Sequence, residues 1–198
     1  MGFRLSKIYT KTGDKGETGL ADGSRIKKSA LRMDVIGTID ELNSWVGSVI
    51  NTIPADSNGK LANARAYLSG LQHTLFDLGG ELAIPGSALI DTGDVELVEE
   101  NIDLLNDDLE PLKNFVLPGG SASASQVHLA RTCCRRAERL MFSLVEQQEE
   151  DNLNAVSVQF INRLSDFLFV LSRYVIVVKG EQEVLWQQKG SIERPGSK

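Results

Sequence analysis

The chain has 198 residues, a size suited to one compact domain that buries roughly 70% of the surface its unfolded form exposes. With 41% hydrophobic and 24% charged residues, a net charge of −6 and a pI near 5.0, it belongs to the ordinary globular class, and a broadly basic nucleic-acid-binding surface is not expected. The cysteines, Cys133 and Cys134, are adjacent and the histidines, His73 and His128, lie far apart, which argues against a disulfide framework, a zinc site or a His-based metal centre and suggests a reducing compartment.

Residues 1 to about 30 are rich in Gly, Thr and Lys and carry no helical period, so they read as an extended or looping arm. Arg4, Lys7, Lys11, Asp14 and Lys15 interrupt any apolar core of signal-peptide type. A first helix is expected from about Ser29 to Ile53, on the three- and four-residue spacing of Val35, Ile36, Ile39, Leu42, Val46, Val49, Ile50 and Ile53, with Pro54 ending it. A second covers about Gly59 to Leu82, with Leu61, Leu68, Leu71, Leu75 and Leu78 inward, and a Pro/Gly loop follows at 84–93.

A third helix is expected from about Asp94 to Leu109, before Pro111. The run Phe115 to Gly120 is a turn into a fourth, about Ala122 to Gln148, whose seam is Val127, Ala130, Cys134, Ala137, Met141 and Leu144. A fifth, about Asn154 to Lys179, repeats the pattern with Ile161, Leu164, Leu168, Leu171 and Val175. Its apolar stretch, Phe167 to Val178, is shorter than a membrane span and holds Arg173, so a cytoplasmic protein is expected. A short strand (Glu183 to Gln187) and a polar tail close the chain. The predicted fold is all-α: a five-helix bundle of ferritin-like up-and-down packing with an extended N-terminal arm, one domain divided as 1–30, 31–180 and 181–198.

The fourth helix carries the sharpest chemical signal. Arg131, Arg135 and Arg139 are successive i,i+4 neighbours on one stripe, beside Arg136 and Glu138. Like charges at that spacing cost about 0.2–0.5 kcal/mol per pair, so either carboxylates of a neighbouring element or an anionic ligand must offset them. The planar, permanently charged guanidinium suits phosphate; arginines lying along a bundle edge are the plainer reading. The arm is the second signal. In Thr10-Lys11-Thr12-Gly13-Asp14-Lys15-Gly16, continuing to Thr18 and Lys28, glycines let backbone N–H groups approach phosphate oxygens while Thr and Lys add donors and charge. The P-loop spacing is absent, and taken alone such an arm is more often a disordered terminus.

Asp40 lies next to the seam position Ile39, and an Arg of the fourth helix is its natural partner. Such a pair orients an Arg toward a ligand or holds two helices in register, and both readings stay open. Asn162-Arg163-Leu164-Ser165-Asp166 reads as a solvent face, His128 as a packing residue, and Phe115 as core or the apolar wall of a pocket. Trp45 and Trp186 read as packing residues.

Taken in order, residues 9–16, 37–43, 115–120, 130–131, 135–139 and 162–166 resemble the ATP:cob(I)alamin adenosyltransferases of the propanediol-utilisation and human mitochondrial type. The resemblance implies a homotrimer with ATP, and Mg²⁺, between subunits. The arm from Thr10 to Thr18 and Lys28 would wrap the triphosphate from one subunit, and Arg135, Arg136, Glu138, Arg139 and Asn162 would meet the nucleotide from the other. It implies a salt bridge of Asp40 with Arg131 near the corrin site, Phe115 beneath the corrin ring, and cob(I)alamin as the substrate. Metal ligands are not specified, and a reductase or B12-dependent enzyme is a possible partner. Ile36 replaces an aromatic residue common in relatives, and the arm continues differently after Gly16, which touches base and ribose contacts first. Another ATP-dependent transferase, or a nucleotide- or corrinoid-binding carrier, is the alternative.

Overall fold

The computed structural model describes residues 8–9, 11–53, 59–147 and 153–189. Thr10, Pro54, Gln148 and the tail beyond residue 189 lie outside them. Five helices carry the fold: α1 (Leu31–Thr52), α2 (Gly59–Leu82), α3 (Thr92–Asn106), α4 (Ala122–Gln147) and α5 (Ala155–Val178). α4 packs between α1 and α5; α1 also packs on α2, and α3 packs on α5. The five-helix bundle expected from the apolar spacing is the observed architecture.

Each seam predicted from the three- and four-residue spacing faces the core. Val35, Ile39, Leu42, Val46 and Val49 of α1 are buried, as are Leu68, Leu71, Leu75 and Leu78 of α2. In α4 the buried set is Val127, Ala130, Cys134, Ala137, Met141 and Leu144. α5 is buried on nearly every side, which explains its high apolar content. Burying a Leu or Val side chain contributes about 1.5–3 kcal/mol, so these seams supply the main driving force for assembly of the bundle. Among the described residues no helix is long and apolar enough to cross a membrane. The charge in α5 is resolved locally: Arg173, 5% exposed, pairs with Glu183 at 2.6 Å and donates to the Glu110 carbonyl at 2.8 Å.

Helix ends follow local chemistry. α3 begins two residues earlier than expected because Asp91 and Asp94 form a capping box. Asn154 caps α5 by accepting from Val156 N–H at 3.1 Å. At the entry to α4, Gly120 has φ of 93°, and a Cβ there would sit 2.7 Å from Ile176 Cδ1, so only glycine fits.

Glu81 is a second buried charge. It accepts from Leu89 N–H at 2.6 Å, Ile90 N–H at 3.0 Å, Asn154 Nδ2 at 3.3 Å and the Ser157 hydroxyl. It therefore ties α2, the 84–91 loop and α5 together. Glu81→Ala leaves several buried donors without an acceptor, and a loss of about 3 kcal/mol or more in unfolding free energy is expected in urea titration.

The arm departs from expectation. Glu17–Gly19 (β1) and Arg25–Lys27 (β2) form an antiparallel pair, with Glu17 opposite Lys27 and Gly19 opposite Arg25. Three-residue strands in a Gly-rich run show too few alternations to be seen in sequence. The tip of this hairpin is closed by Asp22, which accepts from Ser24 N–H at 2.8 Å and the Ser24 hydroxyl at 2.7 Å. Ala21 N–H donates to the Ala83 carbonyl, anchoring the hairpin at the end of α2. The expected strand at 183–187 is reduced to a single bridge, Val116 with Leu185.

Candidate functional site

Three groups of the predicted residues occupy distinct places. The first is the arm. Lys11 has φ of 61°, a left-handed conformation that costs a side chain of this type energy and marks a tightly specified turn. Gly16 N–H donates to the Gly13 carbonyl at 3.2 Å, and Lys28 N–H donates to the Gly16 carbonyl at 2.9 Å. The Lys28 side chain crosses this turn so closely that a Cβ on Gly13 would lie 3.1 Å from its Nζ. Lys11, Thr12, Asp14 and Lys15 are exposed around the same turn, and Thr18 is in β1. The result is a short loop that presents the ammonium groups of Lys11, Lys15 and Lys28 together.

The second is the arginine stripe of α4. Arg136 is neutralised across the helix interface by Glu41 of α1, which also accepts from Trp45 Nε1 at 3.4 Å. Its guanidinium holds the Glu41 carboxyl below the usual range. Arg139 donates to the Arg135 carbonyl at 2.9 Å. Arg135 and Arg139 are exposed and pair with no carboxylate among the described residues. Glu138 turns to α5 and accepts from Asn162 Nδ2 at 2.6 Å, while Arg163 pairs with Glu99 of α3 at 2.7 Å. In the 162–166 run Asn162 and Arg163 are part-buried and Leu164 and Ser165 buried, so only Asp166 fits the solvent face that its spacing suggests.

The third is a cavity of about 530 Å³ lined by Phe115, Val116, His128, Arg131 and Phe169, together with residues 112–114. Phe115 is 78% exposed, so the default reading of it as core is wrong; it is a wall of this cavity. Its backbone is held from the far end of the chain. Trp186 N–H donates to the Phe115 carbonyl at 2.7 Å and Leu117 N–H to the Val184 carbonyl at 2.8 Å. Asn114 Nδ2 donates to the Trp186 carbonyl at 2.7 Å, and the Phe115 and Trp186 rings meet edge to face at 6.3 Å. Trp186, read as a packing residue, is instead 41% exposed beside the cavity mouth.

Asp40 and Arg131 do not meet within one chain. Asp40 lines a second cavity, of about 510 Å³, between α1 and α2 with Asn43, Phe76 and Gly80. The α1–α4 ion pair is Glu41 with Arg136, because residue 41 faces α4 where residue 40 faces α2. Likewise no hydrogen bond or ion pair joins the arm to Arg135 or Arg139 among the described residues. Phe169 and Glu41 were not singled out in sequence. Phe169 follows Asn162 by seven residues and so shares its helix face, a signal that was present.

The cysteines are buried, and burial pushes both thiols up, Cys133 to about 11, so neither is a reactive nucleophile. Burial, with the Arg131 charge beside it, pulls His128 down from 6.5 to about 4. Its folded-state value lies below the unfolded one, so protonation favours unfolding. The associated stability is complete above the ordinary histidine range and is lost as pH falls toward about 4. In denaturant titrations at pH 7 and about pH 5, His128→Gln is expected to lose less stability than the unsubstituted protein.

The sequence profile of the cobalamin adenosyltransferases matches residues 8–175. The chain is 48% identical over 191 residues to a cobalamin adenosyltransferase of Cupriavidus metallidurans, covering 96% of this chain and 98% of that protein. It is 36% identical over 194 residues to the corrinoid adenosyltransferase of Homo sapiens, covering 93% and 75%. A PduO-type ATP:corrinoid adenosyltransferase variant from Lactobacillus reuteri, solved with cobalamin and ATP, superposes with a TM-score of 0.82 at 34% identity, covering 92% of this chain and 100% of that chain.

Proposed function

Because the chain belongs to the cobalamin adenosyltransferase family, we propose that its arm, its arginine stripe and the Phe115 cavity are the working parts of one corrinoid adenosylation site. The enzyme transfers the 5′-deoxyadenosyl group of ATP to the cobalt of reduced cob(I)alamin and releases triphosphate. The observation that carries the site assignment is the geometry of α4. Arg131 lies at the Phe115 cavity, while Arg135 and Arg139 continue the same stripe without a carboxylate partner among the described residues. Four residues of helix rise about 6 Å, so a corrinoid in the cavity and a triphosphate on Arg135 and Arg139 are neighbours.

The chemistry asks little more of the protein. Cobalt(I) is the nucleophile: its electron pair attacks the 5′ carbon, and the carbon–oxygen bond breaks to release triphosphate. Arg135, Arg139, Lys11, Lys15 and Lys28 take up the developing negative charge, with Thr10, Thr12, Thr18 and the N–H groups around Gly13 and Gly16 orienting the phosphates. Arg136, held by Glu41, and Asn162, held by Glu138, frame the nucleotide from the bundle side. Phe115 and Phe169 present an apolar surface to one face of the corrin, excluding water and a lower axial ligand.

Mg²⁺ would neutralise phosphate charge. It is commonly held by one or two carboxylates plus substrate phosphates, and no cluster of three or more ligating side chains exists among the described residues. Asp14, an exposed carboxylate of the arm, would hold it.

The separation of arm from stripe, and of Asp40 from Arg131, supports a homotrimer in which each site draws on two subunits. Trimer dissociation should then abolish turnover before helix content falls. Two buried free thiols support a reducing, cytoplasmic setting, and a reductase supplies the cob(I)alamin. The deciding experiment is an anaerobic assay with ATP, Mg²⁺ and chemically reduced cobalamin. Adenosylcobalamin and intact triphosphate are expected in equal amounts; ADP would sink the assignment, and tight binding of both substrates without turnover would indicate a carrier.

A further inference from the structure

His128 has no part in the reaction described so far, yet it is an expensive core residue. It is 3% exposed, and its Nε2 is buried with no hydrogen-bond partner. Its Nδ1 accepts from Arg131 Nε at 3.3 Å. An accepting Nδ1 places the proton of the neutral ring on Nε2, so the orphaned group is an N–H donor. Leaving such a donor buried is costly, and an apolar side chain of similar size would avoid the cost. Packing alone does not account for the imidazole.

What the imidazole does is hold Arg131. A free arginine side chain has many rotamers, and fixing it costs entropy each time a ligand binds. The bond from Nε sets the plane of the guanidinium in advance. It also uses the one guanidinium nitrogen that lies on the chain side, so both terminal nitrogens stay without a partner among the described residues. Burial and the neighbouring positive charge keep the ring neutral, so the accepting lone pair persists through the neutral pH range.

We propose that His128 is a positioning residue for adenosyl transfer: its Nδ1 fixes the Arg131 guanidinium on the wall of the Phe115 cavity, leaving the terminal nitrogens for the Asp40 salt bridge that borders the corrinoid. The inference rests on assigning that cavity to the corrinoid. Three variants of the full-length assembled enzyme test it, by anaerobic turnover with ATP and reduced cobalamin alongside thermal midpoints. His128→Phe fills the space without an acceptor, and the KM for cobalamin should rise about tenfold, the scale of one hydrogen bond to a charged group, with the KM for ATP unchanged. His128→Gln, whose Oε1 can accept, should recover most of that loss.

In an Arg131→Lys background, which lacks the Nε donor, His128→Phe should add nothing further. An additive loss in that double variant overturns the proposal. So does a cobalamin KM unchanged in a His128→Phe protein that keeps its thermal midpoint, or a His128→Gln protein as impaired as His128→Phe. If His128→Phe does not fold, His128→Leu replaces it and the comparison with Gln reads the acceptor alone. The cavity assignment fails separately: Arg131→Lys would then alter the KM for ATP and leave that for cobalamin unchanged.

Discussion

Phe115→Ala is expected to slow cobalt alkylation about a hundredfold with the KM for ATP unchanged, the scale of a misplaced reacting centre. The ring is 78% exposed, and its only ring contact among the described residues is the edge of Trp186, so its loss leaves no cavity in the core and the thermal midpoint should hold. The bonds that carry the loop are also unaffected, since Phe115 and Val116 are held through their backbone and through Asn114. In the proposed site, what disappears is an apolar wall of the corrin pocket, so water and a lower axial ligand would regain access to cobalt. Steady-state kinetics in both substrates, with a thermal melt of the same preparation, decide it. A change confined to the KM for ATP would mean that the cavity is not the corrin pocket.

Arg135→Ala is expected to lower kcat/KM for ATP by about 10²–10³-fold, the loss seen when one preorganised group facing developing charge is removed. The fold should not suffer. Arg135 is exposed, makes no salt bridge among the described residues, is attracted at longer range by Asp166, and is repelled by Arg131 and Arg139 one turn away on each side. Removing it relieves about 0.2–0.5 kcal/mol per like-charge pair, so the thermal midpoint should stay level or rise while activity collapses. Arg135→Lys should recover only part, because an ammonium lacks the planar fork that meets two phosphate oxygens at once. Arg136→Ala makes a useful contrast: it breaks the Glu41 bridge between α1 and α4 and should cost stability as well as activity. An Arg135→Ala protein with an unaltered ATP dependence would remove the triphosphate from this stripe.

Much of the fold was legible because helix formation and seam burial are local and periodic. Val35 to Val49, Leu68 to Leu78 and Ile161 to Val175 declare their buried face by spacing alone, and every one of those seams is inward. The arginine stripe is visible for the same reason: residues four apart must share a face. The hairpin of the arm was not visible, since Glu17–Gly19 and Arg25–Lys27 are too short for alternation to register and are specified by the Asp22–Ser24 turn between them.

By itself, then, the sequence determined five amphipathic helices, a cationic stripe, a Gly/Lys arm and, through their order, the family. Tertiary structure alone decided which partners these groups have. Residues 40 and 41 differ by about 100° around a helix, and only the rotation of α1 against α4 settles that Glu41 meets Arg136 while Asp40 faces α2. Phe115 is held open because a segment some 70 residues later, at 184–186, hydrogen-bonds its backbone, a contact no local pattern encodes. Spacing along one chain records which residues share a face; which faces then meet depends on how the helices pack.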